Sequence, residues 1–532
     1  MFLLAAIVAG LVVVGAFILG ILGGESCQDQ YCPSDVDVTL PEGYAQVSGV
    51  FELREVPPEL PEGAEYELEV ALRSQTSDPR NLVLFAFDEG TWRPLGNAVL
   101  SQDGTRARAT VSELPNIVVV LRRISPAGHL VAYLPHGTGL HPTAAERATI
   151  VHTVDFRPAA DGTVEGTPTN LPPLENAAWV PTIRASAADT GTLANVDAIL
   201  ASAASRSTHV NAILQLVRDL QADGIDIAYL DLRPDLRASF ALFVLELSQA
   251  LHKEGKLLTL TVPPPAPLAD GSMDEGAYDW RALGEAADVL QITPFRDQRL
   301  YRLQMPDVLE YLKTLVPAEK LVLTVTPYAT EAADGELRTL RLADAMRIAA
   351  AIQQPDAGGP IEPNQNVEIV APNIDRNEGL SGIVWDPNTA TVSFSYRQNG
   401  NRTVWLENIF SVSFKLELVA RHRLGGVAVE DASADPLLGD IWPAVAAFAD
   451  AGQPQLLQPN GEALLPRWSA SGGSIEGGQR GRATWTAPPQ PGSYTITLHL
   501  SDGVYRFENS VSVSVTAREQ AQQPASSAPS GG

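Results

Sequence analysis

Eight short apolar runs alternate with helical stretches between about Ser125 and Gly452, and this alternation restricts the possible folds more than any other feature. The runs are HLVAYLP, TIVHTVDF, AAWVPTIR, GIDIAYLDL, KLLTLTVPPP, ADVLQITPF, KLVLTVTPY and LGGVAVE. Intervening stretches such as HVNAILQLVRDLQAD carry apolar residues at three- and four-residue spacing, which indicates amphipathic helices. Several runs are almost continuously apolar, as expected for parallel strands that are buried on both faces. Eight strand–helix repeats predict a (β/α)8 TIM barrel over residues 125–452.

The gap between the seventh and eighth runs is the longest in the barrel region. It contains SGIVWDPNTATVSFSYRQNGNRTVWLEN, in which two alternating segments flank a QNGN turn. An Asn-Gly turn between alternating segments is a strong short-range signal for a β-hairpin. We therefore predict an inserted hairpin at about residues 380–410. In barrels of this kind, functional side chains are expected at the carboxyl ends of the strands.

Both segments that flank the barrel show β-type alternation. Residues 44–124 consist of short alternating runs broken by Gly, Asp and Asn, which predicts an antiparallel β-sandwich. Residues 453–516 contain WSASGG and ATWTAPPQPGSYTITLHLSDG, which resemble bacterial Ig-like and PKD-like modules. This resemblance implies an Ig-like β-sandwich. We thus predict a multidomain chain whose β modules space or dock the barrel and offer surfaces to protein partners.

The chain begins with a long apolar run, because residues 2–22 contain no charged and no strongly polar side chain. As a helix, this run is long enough to cross a hydrocarbon core of ~30 Å. We predict an uncleaved transmembrane anchor at residues 1–24, then a linker at residues 25–43. The bulk of a single-pass cell-membrane protein would then lie outside the cytoplasm. Cleavage as a signal peptide is the alternative and would give a secreted protein.

Two further predictions concern the ends of the chain. Cys27 and Cys32 follow the apolar run and are predicted to form a small-loop disulfide in an oxidising compartment. Lipid modification of Cys27 is the alternative. Residues 517–532 are rich in Ser, Pro, Gln and Gly, so they are predicted to be a disordered tail.

Composition and motif content exclude several classes of protein. The chain has 37 basic and 63 acidic residues, and a net charge of −26 repels the phosphate backbone of nucleic acids. Two cysteines and eight histidines without a cluster argue against a metal site. No Gly-rich loop has the spacing of a P-loop or a dinucleotide-binding turn. The sequence therefore predicts neither a cofactor nor a nucleic-acid partner.

The fourth apolar run carries the most informative motif. The segment QADGIDIAYLDLRPDLRASFALFVLELSQALHKEGKLLTLTVPPP resembles glycoside hydrolase family 18, especially its bacterial spore-cortex-lytic branch. The resemblance continues through YDWRALGEAADVLQI, TVWLEN and LGGVAV, so it spans the predicted barrel. It implies action on polymers of N-acetylated aminosugars, such as chitin or peptidoglycan.

The resemblance also implies a mechanism for this strand. The family carries D-G-x-D-x-D-x-E, in which the Glu protonates the leaving glycosidic oxygen. The Asp before it orients the substrate's own acetamido group, which attacks the anomeric carbon. Residues two apart on a strand share a face, so these side chains would point together into the barrel mouth.

This chain matches only the first half of that motif. Asp223, Gly224 and Asp226 agree with it, whereas Ala228 replaces the acetamido-orienting Asp and Leu230 replaces the acid Glu. Neither replacement can donate a proton or hold a charge, and general acid–base help alone is worth ~10²–10⁴-fold in rate. No catalytic group of the motif is therefore intact.

Other positions of the family's site are changed as well. Thr293-Pro294-Phe295-Arg296 stands where the family has Met-x-Tyr-Asp, and Glu430 replaces a Trp that floors the sugar site. Two carboxylates are possible substitutes for the missing acid, Asp231 and Glu430. Asp231 would face the opposite side of the strand unless a bulge turned it back.

The remaining candidates near the strand ends are ligand-binding rather than catalytic. They are Tyr133, His136, Asp155, Arg184, Asp226, Phe295, Arg296, Tyr328 and Glu430. They form either a structural salt-bridge network, with the acidic residues paired to Arg184 and Arg296, or a rebuilt polar pocket for a sugar. Trp385 and Trp405 in the predicted hairpin are expected to wall one side of the cleft.

Three functions remain open at this point. The first is a pseudoenzyme that binds or scaffolds cell-wall or extracellular glycan. The second is an active glycosidase on N-acetylglucosamine-containing polymers with a relocated acid. The third is a purely structural barrel that joins two β modules. The missing catalytic pair favours the first.

Overall fold

The structure is a computed structural model, and it describes residues 17–22, 31–34, 40–41, 44–53, 66–73, 82–88, 90–101, 103–111, 114–123, 128–172, 174, 177–355 and 357–517. Eight parallel strands form a closed barrel: β1 (His129–Pro135), β2 (Ile150–Pro158), β3 (Thr182–Ala185), β4 (Gly224–Tyr229), β5 (Leu257–Val262), β6 (Val289–Ile292), β7 (Leu321–Val325) and β8 (Gly426–Val429). Each strand pairs in parallel with the next, and β8 pairs with β1 to close the barrel. The predicted (β/α)8 barrel is confirmed.

Helices cover the outside of the barrel and follow most of its strands. In the described part of the chain, the α-helices are Pro142–Arg147, Thr192–Leu200, Ala203–Leu220, Arg237–His252, Trp280–Ala286, Gln298–Lys313, Leu342–Ala349, Ile409–His422 and Trp442–Ala451. Their apolar residues recur every three or four positions, as Phe240, Phe243, Val244 and Leu247 do, and these side chains are buried in the main hydrophobic cluster.

The barrel interior is packed with side chains, so it forms a floor beneath its mouth. Val131, Leu257, Val289, Val322 and Ala428 belong to one buried cluster. All six residues of β4 are buried. A residue of this strand therefore reaches solvent only where the strand ends, and this places any site at the carboxyl rim.

A five-stranded antiparallel sheet is inserted between β7 and β8. Its strands, in spatial order, are Glu336–Leu340, Ala329–Ala333, Asn401–Leu406, Thr391–Arg397 and Val384–Asp386. The predicted hairpin is its centre, where Asn399 and Gly400 adopt positive φ angles of 53° and 126°. Asn and Gly tolerate this left-handed backbone, which explains the strength of the turn signal.

The insertion also contributes to the C-terminal β-rich region. Asn366–Val370 pairs antiparallel with Arg482–Thr486, which in turn pairs with Ser474–Gly477. A second sheet contains Arg467–Ala470, Gly492–Ser501 and Arg506–Val515. Both sheets supply residues to one buried cluster that includes Ile369, Trp485 and Ile496. The C-terminal region is thus built from two separate parts of the chain.

The N-terminal β-rich region contains two sheets. One is formed by Tyr31–Pro33, Tyr44–Leu53, Ile117–Arg123, Leu82–Asp88 and Thr91–Asn97, the other by Phe17–Leu22, Tyr66–Ala71, Arg106–Val111 and Val99–Leu100. Buried residues from both sheets, among them Phe51, Leu68 and Val120, form one cluster. The region therefore has a hydrophobic core of its own.

The predicted membrane helix is not supported. Residues 1–16 lie outside the described residues, and Phe17–Leu22 forms a strand beside Tyr66–Ala71. Among the described residues, no helix combines the length and the apolar character needed to span a membrane. A continuous apolar run suits a buried strand as well as a helix, and periodicity does not separate the two.

The other terminal predictions fall mostly outside the described part of the chain. Cys27, one partner of the predicted disulfide, lies there, whereas Cys32 is buried in a strand. Most of the predicted tail lies there as well, because the described residues end at Thr516 and Ala517. The disulfide, the linker and the tail stay predictions.

Candidate functional site

A cavity of about 270 Å³ opens at the carboxyl ends of the barrel strands. Residues predicted from the sequence form much of its wall, namely Tyr133, Arg184, Ala228, Leu230, Asp231, Arg296 and Glu430. The closed barrel brings these residues together from five different strands or strand ends, although they span almost 300 positions of the chain. The cavity lies where a (β/α)8 barrel places its ligands.

The two matching residues at the start of the motif hold the base of β4. Oδ2 of Asp223 accepts a hydrogen bond from the backbone N–H of Trp179 at 2.8 Å. A Cβ added to Gly224 would lie 2.3 Å from the carbonyl oxygen of Leu257, so only glycine fits between the strands. These two motif positions therefore serve the packing of the barrel.

Asp226 lies below the cavity, fully buried among hydroxyl groups. Thr259 donates to its Oδ1 at 2.9 Å, while Thr182 and Thr261 donate to its Oδ2 at 3.1 and 3.0 Å. Burial raises the pKa of the Asp226 carboxyl, although these three hydrogen bonds act in the opposite direction. The carboxyl is thus an internal group whose pKa lies above its ordinary value.

Ala228 and Leu230 occupy the next two positions on the same side of the strand and line the cavity. In the β3–β4 pair, Thr182 is opposite Asp226 and Arg184 is opposite Ala228. This register confirms the alternation that directs residues 226, 228 and 230 towards the mouth. The two positions nearest the mouth carry hydrocarbon side chains, so neither can protonate a leaving oxygen.

A ring pair extends the buried network on the other side of Asp226. The hydroxyls of Tyr133 and Thr261 are 2.5 Å apart, and Tyr133 donates because Thr261 already donates to Asp226. The Tyr133 ring lies 4.7 Å from the ring of His152. Burial raises the pKa of the Tyr133 hydroxyl. Tyr133 is therefore a neutral donor at the cavity wall.

Both ring nitrogens of His152 have a hydrogen-bond partner. Its Nδ1 lies 2.7 Å from the carbonyl oxygen of Val180, which can only accept, so Nδ1 carries the hydrogen. Nε2 then accepts from the amide of Gln291 at 2.8 Å. The sequence patterns did not identify His152, Gln291 or the threonines, although Thr259 and Thr261 occupy alternate positions of KLLTLTV.

An ion pair between Arg296 and Glu430 crosses the mouth from the end of β6 to the end of β8. Their side chains are 28% and 26% exposed, so the pair lies at the rim of the cavity. This contact agrees with one member of the predicted salt-bridge network. The ion pair also occupies one oxygen of Glu430, which is one of the two carboxylates predicted as a possible substitute acid.

The rest of that predicted network differs in the structure. Nε of Arg184 lies 3.4 Å from Oδ2 of Asp189 in the loop that follows β3. Asp155 pairs with Nδ1 of His136 at 2.8 Å and accepts two hydrogen bonds from Thr169. Asp155 and Arg184 therefore pair with other residues and not with each other.

Asp231, the second possible substitute acid, reaches the cavity by a change of backbone direction. β4 ends at Tyr229, and Asp231 adopts a left-handed backbone with a φ of 57°. Its side chain lines the cavity, and Oδ2 accepts from the backbone N–H of Ala187 at 3.0 Å. The left-handed residue turns Asp231 towards the mouth, in place of the bulge that the strand pattern would need.

A second cavity of about 620 Å³ adjoins the first and shares Val154 and Arg184 with it. Its wall contains the predicted residues His136 and Asp155. Arg184 stands between the two cavities, which together form a groove along the rim from β4 towards β2. Such a groove suits an extended, polar ligand better than a compact one.

The predicted aromatic residues are only partly at the mouth. Tyr133 lines the cavity, whereas Phe295 packs beside Tyr301, with ring centres 6.2 Å apart. Tyr328 donates its hydroxyl hydrogen to Asp431, and burial together with this contact raises its pKa. The predicted wall by Trp405 is corrected, since this ring is only 3% exposed inside the inserted sheet.

Trp385, the other tryptophan of the hairpin, packs against Phe410 and Phe414. Trp405 is therefore buried in the insertion, while Trp385 is partly buried against the helix Ile409–His422. Among the described residues, no group of three His, Cys, Asp or Glu side chains is arranged to hold a metal ion.

Comparison with protein families gives one match. Residues 190–435 match the model of Glycosyl hydrolases family 18. The uncharacterized glycosylase YvbX from Bacillus subtilis (strain 168) is 20% identical over 243 residues, which are 43% of this chain and 63% of that protein. The match thus spans less than two thirds of the length of this relative.

Solved structures with a similar barrel include a chitinase from Chromobacterium violaceum ATCC 12472. It is 21% identical, and the match covers 62% of this chain and 100% of that chain with a TM-score of 0.43. The spore cortex-lytic enzyme SleL from Bacillus megaterium QM B1551 is 17% identical, with coverage of 65% and 79% and a TM-score of 0.45. The matched residues 190–435, with the motifs around the fourth strand, make most of the barrel similar to glycosyl hydrolases family 18.

Proposed function

We propose that the barrel mouth binds a glycan that contains N-acetylated aminosugars and does not cleave it by the family's substrate-assisted mechanism. One observation carries this proposal: Ala228 and Leu230 line the cavity at the positions where that mechanism needs two carboxyl groups. A methyl and an isobutyl group supply neither a proton nor a negative charge.

The other carboxyl groups near the cavity already have partners. Asp226 is enclosed by three threonine hydroxyls, Glu430 contacts Arg296, and Asp231 accepts from the N–H of Ala187. A general acid must present a protonated oxygen within hydrogen-bond reach of the glycosidic oxygen. Each of these three carboxyl groups is therefore held through at least one oxygen by a neighbouring group of the protein.

The same cavity retains the features of a sugar-binding surface. Tyr133 supplies a hydroxyl donor, Arg184 and Arg296 supply charged donors, and Leu230 supplies an apolar patch. Sugar rings have polar edges and apolar faces, so they suit a wall that mixes the two. The adjoining groove beside Arg184 gives room for further sugar units.

The regions around the barrel fit a role at the cell envelope. In this proposal both β-rich regions are β-sandwiches, the C-terminal one is Ig-like, and both space or dock the barrel. The bulk of the chain lies outside the cytoplasm, where chitin and peptidoglycan occur. The shared hydrophobic core of the two C-terminal sheets supports the sandwich assignment. Protease protection in intact cells would test the location.

Binding is tested with the full chain by isothermal titration with chitotetraose and with soluble peptidoglycan fragments. Leu230→Trp fills the cavity and is expected to weaken binding at least tenfold. Leu303→Trp, at a residue that is 71% exposed on an outer helix, is the matched control and should bind normally. Equal binding by the unmodified chain and by Leu230→Trp would contradict a site at the mouth. If no glycan binds to the unmodified chain, the proposal is wrong and the barrel has a purely structural role.

An active glycosidase with a relocated acid is the second candidate, and the position of Asp231 favours it. This carboxylate lines the cavity directly after the position of the missing Glu. Chromatography of the same oligosaccharides after incubation detects hydrolysis. If products form, Asp231→Asn should abolish them while Asp235→Asn, four residues further on and exposed, should not.

A further inference from the structure

A cavity of about 350 Å³ lies at one end of the three-stranded C-terminal sheet formed by Arg467–Ala470, Gly492–Ser501 and Arg506–Val515. One side of its wall is polar and contains Arg467, His499, Arg506 and Glu508. Its lining also contains the apolar residues Leu465 and Val504. None of these residues takes part in the site at the barrel mouth.

The strand register places the polar residues on one face of the sheet. Arg467 is opposite His499, and His499 is opposite Glu508 on the next strand. Arg506 is two residues from Glu508 and therefore lies on the same face. The alternate residues Leu498 and Leu500 are buried beneath the sheet. Arg467 and Arg506 thus lie on the same face, two strands apart and offset by two residues along the strand, within reach of a common ligand.

The two arginines differ from most others in this acidic chain because they lack a carboxylate partner. Within the part of the chain that the structure describes, neither guanidinium group forms an ion pair or a side-chain hydrogen bond. Arg482 on the neighbouring sheet, by contrast, contacts Glu368, Asp375 and Glu378. The chain has 63 acidic residues, so two guanidinium groups at one cavity without a carboxylate partner differ from the usual pairing of its arginines.

The one carboxylate on this wall is held by its neighbour. Oε1 of Glu508 lies 2.9 Å from Nδ1 of His499, and Nε2 of the same ring lies 2.8 Å from the hydroxyl of Ser469. This row fixes the His499 ring and draws Glu508 towards it. The two guanidinium groups then remain as the unpaired charges of the cavity.

We infer that this cavity binds an oxyanion, carboxylate or phosphate, on a partly apolar organic ligand. A guanidinium group presents a planar fork of donors that matches both anions. The apolar lining at Leu465 and Val504 receives the uncharged part of the ligand. The site is independent of the glycan site at the mouth, and its chemistry distinguishes it from the remaining, strongly acidic surface.

The test is isothermal titration of the full chain at low salt with phenyl phosphate, benzoate and the neutral benzyl alcohol. One-site binding of at least one anion is expected, with affinity that falls as salt increases. Binding of phenyl phosphate alone identifies a phosphate site, and binding of benzoate identifies a carboxylate site. Failure of both anions to bind, or equal binding of benzyl alcohol, would overturn the inference.

Variants connect the binding to the two arginines. Arg467→Gln with Arg506→Gln should weaken anion binding about tenfold or more, because it removes both charged forks. Lys253→Gln with Arg281→Gln, at two exposed positions on the barrel, removes the same charge and is the matched control. Equal weakening by both pairs would mean general attraction to positive charge and would contradict a defined site.

Glu508→Gln provides a second test that misfolding cannot imitate. It removes the negative charge beside the two arginines and keeps an oxygen that can accept from His499. Tighter anion binding, by several-fold, is therefore expected. Unchanged or weaker binding in a variant with a normal melting temperature would speak against the proposed arrangement.

Discussion

Thr261 donates its hydroxyl hydrogen to Oδ2 of Asp226 across 3.0 Å in the interior of the barrel. Together with Thr182 and Thr259, this contact encloses a carboxyl group that a family 18 motif would direct towards catalysis. Asp226 is therefore built into the packing below the mouth, while the next two positions on the same side of the strand, Ala228 and Leu230, are apolar.

Asp226→Asn should make the stability of the protein less dependent on pH. Burial raises the pKa of Asp226 above its value in the unfolded chain, so unfolding becomes more favourable as pH rises from about 4 through the raised pKa. The amide has no charge to bury and removes this pH dependence. Urea unfolding at pH 4.5 and pH 7.5 measures it. A variant that is destabilised equally at both pH values would contradict the raised pKa.

His209 should make the barrel sensitive to mild acid. Its Nδ1 lies 2.7 Å from the carbonyl of Gly162 and its Nε2 lies 2.5 Å from the hydroxyl of Tyr229. Burial lowers the pKa of His209 from 6.5 to about 4. As pH falls, His209 therefore takes up its proton at a higher pH in the unfolded chain than in the folded one. The free energy of unfolding decreases as pH drops from about 6.5 to 4, by about 3 kcal/mol in all.

Unfolding experiments on His209→Gln check that expectation. The variant loses ring packing against Phe243, whose centre is 5.5 Å away, so it should be less stable at pH 7. Its stability should change less than that of the unmodified chain between pH 6.5 and pH 4.5. Parallel pH profiles of the two proteins would show that His209 does not titrate in this range.

Lys415→Met should strongly destabilise the helix that precedes β8. Lys415 forms an ion pair with Glu407, and the two side chains are only 6% and 1% exposed. Loss of the lysine leaves a buried carboxylate without its charge partner, which typically costs about 3–5 kcal/mol. Thermal and urea unfolding measure the loss, and adding Glu407→Gln should restore a large part of it.

The control for this prediction lies on the same helix. Arg421 and Glu417 form an exposed ion pair one helical turn apart. Arg421→Met should cost less than about 1 kcal/mol, because solvent screens such pairs. A loss as small for Lys415→Met as for Arg421→Met would contradict the importance of burial.

Arg482→Gln should loosen the connection between the barrel insertion and the C-terminal region. Arg482 lies on the strand that pairs with Asn366–Val370, and it contacts the fully buried Asp375 at 2.6 Å. We expect a loss of about 1–3 kcal/mol and faster proteolysis of residues 357–382. Arg506 lies on the other sheet and forms no ion pair with any described residue, so Arg506→Gln is the control. Proteolysis at the same rate in both variants would argue against a stabilising role of the ion pair between Arg482 and Asp375.

The barrel and the hairpin could be predicted because their signals are local. The alternation of apolar strands and amphipathic helices defines each repeat, and the turn at Asn399 and Gly400 requires residues that tolerate positive φ. The pairing of Asn366–Val370 with Arg482–Thr486 could not be predicted, because it joins segments more than 100 residues apart. No local pattern fixes the partner of a strand.

At the site, features set by neighbouring residues could be predicted, and contacts between distant residues could not. The side of the strand that carries residues 226, 228 and 230 follows from alternation alone. The partners of the charged residues do not, since Arg184 reaches Asp189 and Asp155 reaches His136 through loop conformations. The turn at Asp231 depends on the left-handed backbone of this one residue, and no sequence pattern predicts it.

Ala228→Asp with Leu230→Glu should restore slow hydrolysis if the rest of the cleft is intact. The two carboxyl groups would point into the cavity from the positions that the motif assigns to them. Ala228→Asn with Leu230→Gln, which has similar size but no acid, is the control and should bind without cleaving. If the acidic pair binds substrate without cleaving it, the changes at Arg296 and Glu430 are equally damaging.

Glycan binding without cleavage is tested by incubating the unmodified full chain with chitotetraose and peptidoglycan fragments and measuring binding and products together. We expect saturable binding that Leu230→Trp weakens, with no products above the level of a blank. Turnover by the unmodified chain that persists after purification, and that depends on Asp231 or Glu430, would contradict it.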